Sequence, residues 1–260
     1  MNNNNSCCML VVTHKNVVIE PLPAYQPIIV GNSTFDIDNA WHDNTGDNIA
    51  CKNPSFCELT ALYWYWKNKI DDYNIIGLSH YRRYFTTNLF SDKSQYFLKD
   101  SEMQAILKES DIILPQRFHW LRYTVAEKYY KGGNGKQADL LGMRKCINEI
   151  CPEYIPSFDE VMEGHSASYC NMFVAKKEMA ATYFEWLFRL LFQMEAITDI
   201  RHYNDAERRI FGYLGELLLN VWVAHNGLRV ATIPTVLVGK SPVYKCSQYF
   251  NLKRTLHENA

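Results

Sequence analysis

Basic runs are missing from this 260-residue sequence: lysines and arginines are scattered and the formal net charge is −1. A nucleic-acid footprint is therefore absent, and any anion site must be local. The eight cysteines, Cys7, Cys8, Cys51, Cys57, Cys146, Cys151, Cys170 and Cys246, form no C-x-x-C pair and no repeated spacing. They read as mostly reduced, small apolar side chains in a reducing compartment, with disulfides or zinc the lesser alternative. A P-loop, G-x-G-x-x-G, H-E-x-x-H and G-x-S-x-G are all missing, which argues against nucleotide hydrolases, dinucleotide oxidoreductases, zinc proteases and serine hydrolases. The opening Met1-Asn2-Asn3-Asn4-Asn5-Ser6 has no basic segment, and Cys7 to Val12 is too short for a signal-peptide core or a membrane span. The expectation is a cytoplasmic protein, with peripheral membrane association left open.

What is present is enough apolar and aromatic material, 47% and 14% of residues, to bury one sizeable core. No internal repeat or linker is visible. The expected organisation is a disordered tail over 1–8, one domain over 9–240 and an extension over 241–260. Strands are expected at Met9 to Val12, Ile28 to Val30, Ile75 to Ser79, Asp111 to Pro115, Cys170 to Ala175 and Val230 to Pro234. Asn53 followed by Pro54 reads as an N-cap and a helix-opening proline, with Phe56, Leu59, Leu62, Tyr63 and Trp66 at helical spacing. Helices are also expected near Glu102 to Lys108, Leu140 to Ile150, Tyr183 to Met194 and Ala206 to Ala224, the last closed by Gly227. Gln116 to Gly135, with its Gly132-Gly133-Asn134-Gly135 run, reads as irregular. Strand, crossover helix and strand in that order are the unit of a parallel or mixed sheet.

The most informative stretch is Ile75-Ile76-Gly77-Leu78-Ser79-His80-Tyr81-Arg82-Arg83-Tyr84-Phe85, an apolar run that empties into cationic and aromatic side chains. In open α/β sheets ligands bind just beyond the carboxyl ends of such strands, and guanidinium groups suit phosphate oxygens. The bland alternative is two solvated arginines paired with Asp71 or Asp72. Further polar loops follow other strands: Thr13-His14-Lys15, Asp43 to Asn48 and His165 to Asn171. Such a set suits a ligand with many hydroxyls and a phosphate, as in a sugar nucleotide.

The ordered series Val12-Thr13-His14-Lys15, Asp43 to Ile49, Asn53-Pro54, Cys57 to Trp64, Gly77 to Phe85, Asp111 to Pro115, Tyr169 with Asn171-Met172-Phe173, and Arg209 with Gly212-Tyr213-Leu214 and Glu216 to Trp222 resembles a family of bacterial capsular and exopolysaccharide glycosyltransferases long catalogued as a domain of unknown function. The resemblance covers roughly residues 9 to 235. It implies a GT-A-like α/β fold, a mixed, mostly parallel sheet flanked by helices. It also implies transfer of a sugar, galactose or galactofuranose among the donor classes, from a UDP-linked donor to a lipid-linked saccharide of capsule, exopolysaccharide or O-antigen. A non-catalytic sugar-nucleotide or glycan-binding module of a polysaccharide assembly complex is the alternative.

Carried onto this sequence, the resemblance places Thr13, His14 and Lys15 near the nucleotide and Asp43, Asn44, Asp47 and Asn48 in the donor pocket, although a self-bonded turn would use the same residues. His80-Tyr81-Arg82 stands where metal-using members of the fold carry Asp-x-Asp. Because His and Arg cannot replace hard oxygen ligands, the expectation is metal-independent neutralisation of a diphosphate by Arg82, Arg83 and His80. Inversion at the anomeric carbon needs a carboxylate base, for which Glu216 is the first candidate and Asp205 the second. A helix glutamate paired with Arg208 or Arg209, and a helix cap at Asp205, are the structural alternatives. His165 and Asn171 are the expected acceptor contacts, and Trp120, Tyr123, Tyr129 and Tyr130 are expected to stack on acceptor sugars.

Overall fold

The fold is described from a computed structural model, which covers residues 5–240 and 242–258. In chain order the strands are β1 (Asn5–Thr13), β2 (Tyr25–Ile29), β3 (Trp41–His42), β4 (Tyr73–His80), β5 (Arg83–Phe85), β6 (Ile112–Pro115), β7 (Phe118–His119), β8 (Ser166–Ala167), β9 (Phe173–Lys176), β10 (Val230–Ile233) and β11 (Thr235–Leu237). The helices are α1 (Asn53–Phe56), α2 (Leu59–Asn68), α3 (Asp100–Glu109), α4 (Val125–Lys131), α5 (Gln137–Ile150), α6 (Ile155–Glu163), α7 (Lys177–Ile197), α8 (Ile210–His225) and α9 (Pro242–Glu258).

Among the described residues nine strands form one sheet in the order β10-β6-β9-β4-β1-β2-β3, with β5 and β11 attached to the end of β4. The pairs β4–β1, β1–β2, β2–β3 and β10–β6 are parallel, while β9 runs antiparallel to both β4 and β6. The mixed, mostly parallel sheet of this single domain follows from the buried apolar runs at its centre. Cys7 to Val12 and Ile75 to Ser79 are buried without alternation, as strands covered on both faces must be. Helix α7 lies along β4 and β9, setting Tyr183 and Phe184 against Phe173 at ring separations of 6.0 Å.

Three expectations need correction. The sheet takes in residues assigned to a disordered tail: β1 begins at Asn5, and Cys7 and Cys8 are buried against β4 in register with Ile75 and Ile76. Parallel pairing with an apolar neighbour outweighs the polar start; residues 1–4 lie outside the described residues. The irregular stretch 116–135 contains α4, nucleated by a capping box in which the Thr124 side chain accepts from the Glu127 amide and Glu127 answers the Thr124 amide. The helix expected to run on from Asn53 is broken. Cys57 adopts φ 52°, ψ −132°, splitting it into α1 and α2 and leaving Glu58 at the break. All eight cysteines are free thiols.

Candidate functional site

At the carboxyl edge of the sheet, β4 turns into β5 through Tyr81-Arg82, with His80 and Arg83 paired across the turn. Because β9 is antiparallel to β4, the segment preceding it, Cys170 to Met172, lies over the same edge. Helix α8 starts there too. A Cβ at Gly212 would lie 2.9 Å from Cys57 Sγ, and one at Gly215 2.7 Å from Leu59 Cδ1 and 3.1 Å from Asn171 Oδ1. The absence of both side chains lets α8 press Arg209, Tyr213 and Glu216, spaced along one helix face, against the break at Cys57-Glu58. Gly212→Ala is expected to cost about 1–3 kcal/mol in overpacking and to lower the melting temperature while leaving the circular dichroism spectrum unchanged.

The result is a cavity of about 540 Å³ lined by Val12, His14, Val30, Asn53, Pro54, Cys57, Glu58, His80, Tyr81, Arg82, Arg83, Cys170, Arg209, Glu216 and Leu237. Two backbone irregularities shape it: consecutive Cys170 and Asn171 hold positive φ of 75° and 51°. A left-handed pair of non-glycine residues is costly and persists where surrounding bonds over-determine it. Here the buried Asn171 amide donates to Glu58 Oε1 (2.8 Å) and to the Gly212 carbonyl (3.1 Å), joining α8 to the break before α2. His80 Nε2 donates to the Cys170 carbonyl at 2.8 Å. Burial, with Arg83 and Arg209 adding to it, holds the His80 pKa below its ordinary value, so this imidazole is a neutral tether rather than a third cation.

The three arginines differ in freedom. Arg83 is half-buried and committed, one Nη on Cys170 Sγ and a further hydrogen bond to Tyr244 of α9. Arg209 reaches Cys57 Sγ at 3.3 Å and the Tyr213 hydroxyl at 3.2 Å. Arg82 is exposed, 5.3 Å from the Tyr81 ring centroid, and no hydrogen bond or ion pair among the described residues engages its guanidinium. The expected alternative pairing does not occur: Asp71 meets Lys177 and Asp72 meets Lys69, ahead of β4.

Glu216 is half-buried in the pocket, with its pKa pushed up to about 8 by burial and then by the neighbouring Glu58 charge; the Cys170 backbone N–H, Arg83 and Arg209 oppose the rise. It forms no ion pair within 4 Å among the described residues; Arg208 instead donates to the Tyr203 carbonyl. Asp205 is exposed and outside the cavity, and Asn204 performs the capping by accepting from the Ala206 and Glu207 amides.

The first-strand loop divides. His14 lines the cavity edge-on to Tyr81 at 5.8 Å, its pKa lowered by burial and by Lys15 and nearby cations. Thr13 is buried and closes its own turn with Lys15, while Lys15 is exposed beyond the lining. None of Asp43, Asn44, Asp47 and Asn48 lines the cavity. Asp43 is buried and accepts from the Gly31 amide at 2.8 Å, its pKa raised to about 6 by burial. Asn48 bonds to Gly46 and Ala50 while Asp47 is held by Asn68 and Tyr63. Turn chemistry explains Asn48, while Asp43 and Asp47 are committed to tertiary partners.

Of the expected acceptor contacts, Asn171 is committed to Glu58 and Gly212, and exposed His165 bonds through Nδ1 to the Tyr123 carbonyl at 3.0 Å. Tyr129 is buried with its hydroxyl on Asp139 (2.9 Å), so it cannot stack on a sugar, and Tyr130 is packed partly into the core. Tyr123 is exposed beneath Lys131, whereas Trp120 stands edge-on to Tyr169 at 5.3 Å. Tyr169 in turn feels the Glu216 charge and has its pKa raised, chiefly by burial.

The His80-Tyr81-Arg82 turn offers a tethered neutral imidazole and a guanidinium, and the carboxyl groups of the pocket lining are Glu58 and Glu216. No group of three or more His, Cys, Asp or Glu that suits a metal ion converges among the described residues.

The carboxyl edge of this mixed, mostly parallel sheet thus carries a pocket that sets Arg82, Arg83 and Arg209 beside Glu58 and Glu216. The family described as "Domain of unknown function (DUF4422)" matches residues 8–227, and the chain belongs to it. The solved apo structure of the WbbM bifunctional glycosyltransferase is similar, with a TM-score of 0.82 and 27% identity over 91% of this chain. The chain spans 46% of that structure's length. A search of curated proteins returns no match.

Proposed function

We propose that this chain is a nucleotide-sugar-dependent glycosyltransferase acting without a metal ion. The observation that carries this reading is one pocket uniting the unengaged Arg82 guanidinium with a carboxyl group of raised proton affinity, Glu216. Likeness to about half of a bifunctional glycosyltransferase supports it.

Arg82, with Arg209 beside it, neutralises the donor diphosphate. His14 and Tyr81 flank the nucleotide. The acceptor hydroxyl, guided along Trp120 and Tyr169, attacks the anomeric carbon from the side opposite the leaving group. The new C–O bond forms as the bond to the diphosphate breaks; the acceptor proton passes to Glu216, and the nucleoside diphosphate leaves with the electron pair. A base with proton affinity near the working pH serves this step better than an ordinary carboxylate. Burial raises that affinity first, and the Glu58 charge, held in place by Asn171, adds to it.

The resemblance supports the finer assignments: a UDP-linked hexose, galactose in pyranose or furanose form, added to a lipid-linked acceptor of capsule, exopolysaccharide or O-antigen. Incubation with a panel of sugar nucleotides, in the presence and absence of chelator, tests the reading. The expected result is slow release of free nucleotide from one donor, undiminished by chelator. Binding without release under all conditions would favour a silent binding module, and abolition by chelator would refute metal independence.

A further inference from the structure

Phe90, Val238, Tyr249, Phe250 and Leu256 are half of the ten large apolar side chains exposed among the described residues, and they belong to α9 or to segments tied to it. The ties are local. Phe90 lies 5.9 Å from Tyr249, Lys245 reaches the Phe90 carbonyl and Asp92, and Asp92 also receives the Gly239 amide. Helix α9 is anchored by its inner face, where buried Gln248 accepts from Gln116 and buried Thr255 accepts from the Arg117 amide at 2.9 Å. Its outer face carries Tyr249, Lys253 and Leu256 on one line and Phe250, Arg254 and His257 on the next, at helical spacing.

Charge says what covers this face. Between Gly239 and Glu258 the sequence carries Lys240, Lys245, Lys253 and Arg254 against one acid, a balance of +3 in a chain whose total is −1. Lys240, Lys253 and Arg254 are exposed, as is His257. Aromatic side chains interleaved with cations on one helix face match a bilayer interface, where rings enter the headgroup layer and cations meet anionic lipids. Tyr244, on the inner side of the same helix, bonds Arg83, so the start of α9 adjoins the pocket.

We propose that the outer face of α9 with Phe90 docks the protein onto an anionic lipid surface. The inference goes beyond the transferase reading and needs no catalysis, so it stands or falls separately. Sedimentation with vesicles of phosphatidylcholine and phosphatidylglycerol in equal parts, against pure phosphatidylcholine, tests it. Wild-type protein is expected to bind the anionic vesicles, to be released by salt, and to ignore the neutral ones. K253A/R254A is expected to bind about 25-fold more weakly, at roughly fivefold per cation, and Phe250→Ser to bind more weakly with an unchanged melting temperature. Absence of binding to anionic vesicles, or equal binding by both variants, would overturn the proposal. So would a concentration-dependent dimer that Phe250→Ser abolishes in protein that ignores vesicles, since the face would then belong to a second copy.

Discussion

Glu216→Gln lowers turnover by about 10²–10⁴-fold, the usual contribution of a positioned acid–base group, and leaves binding of the nucleotide sugar nearly unchanged. The amide keeps the shape of the side chain but cannot take the acceptor proton. For the wild-type protein, kcat/KM should rise with pH and level off above about 8, because the base must be ionised in the free protein and its pKa is raised to that value. Stability moves the opposite way. A carboxyl group whose folded pKa lies above its ordinary 4.5 holds its proton more firmly folded than unfolded, so its contribution is full below 4.5 and is lost as pH climbs through about 8. Glu216→Gln cannot ionise and should therefore gain melting temperature relative to the wild type across that window. A variant that loses activity but shows no such pH-dependent gain over the wild type would leave Glu216 without its role as the titrating group.

Arg82→Ala raises the dissociation constant for the nucleotide sugar by about 10–100-fold, the loss expected for charge-assisted hydrogen bonds of roughly 1.5–3 kcal/mol. Isothermal titration with nucleoside diphosphate alone should show most of this loss, since the diphosphate is the group Arg82 meets. Arg83 makes a less informative target. Its contacts to Cys170 and Tyr244 brace the pocket wall, so its removal mixes ligand binding with local packing. A loss confined to Arg83, with Arg82→Ala binding normally, would move the diphosphate deeper into the pocket than proposed.

The sheet was legible because its central strands advertise themselves: Met9 to Val12 and Ile75 to Ser79 are uninterrupted apolar runs, and each ends in the polar residues that meet at the pocket rim. The cationic end of β4 was legible for the same reason. The inner part of the site was not. Glu58 reaches the pocket because Cys57 takes a left-handed conformation that ends α1. Helical spacing of Phe56, Leu59 and Leu62 gives no sign of that break. Its trace lies in Gly212 and Gly215, whose missing side chains make room for the break and its neighbours. Asn171 was visible as a polar residue at a strand start, but its commitment to Glu58 depends on a contact across 113 positions of sequence. The loop Asp43 to Asn48 misled in the other direction. Asp and Asn serve turns, tertiary tethers and sugar hydroxyls equally well, and only the bonds to Gly31, Asn68 and Tyr63 show Asp43 and Asp47 committed within the protein.

Co-crystallisation with a nucleoside diphosphate or an unreactive nucleotide sugar, with divalent ions and chelator as separate conditions, tests the central claim most directly. The expected result is diphosphate oxygens within hydrogen-bond distance of Arg82 in both conditions, no ion between them and the protein, and the sugar-bearing side turned toward Glu216. A diphosphate bound away from Arg82, or held through a divalent ion by Glu58 and Glu216, would contradict it.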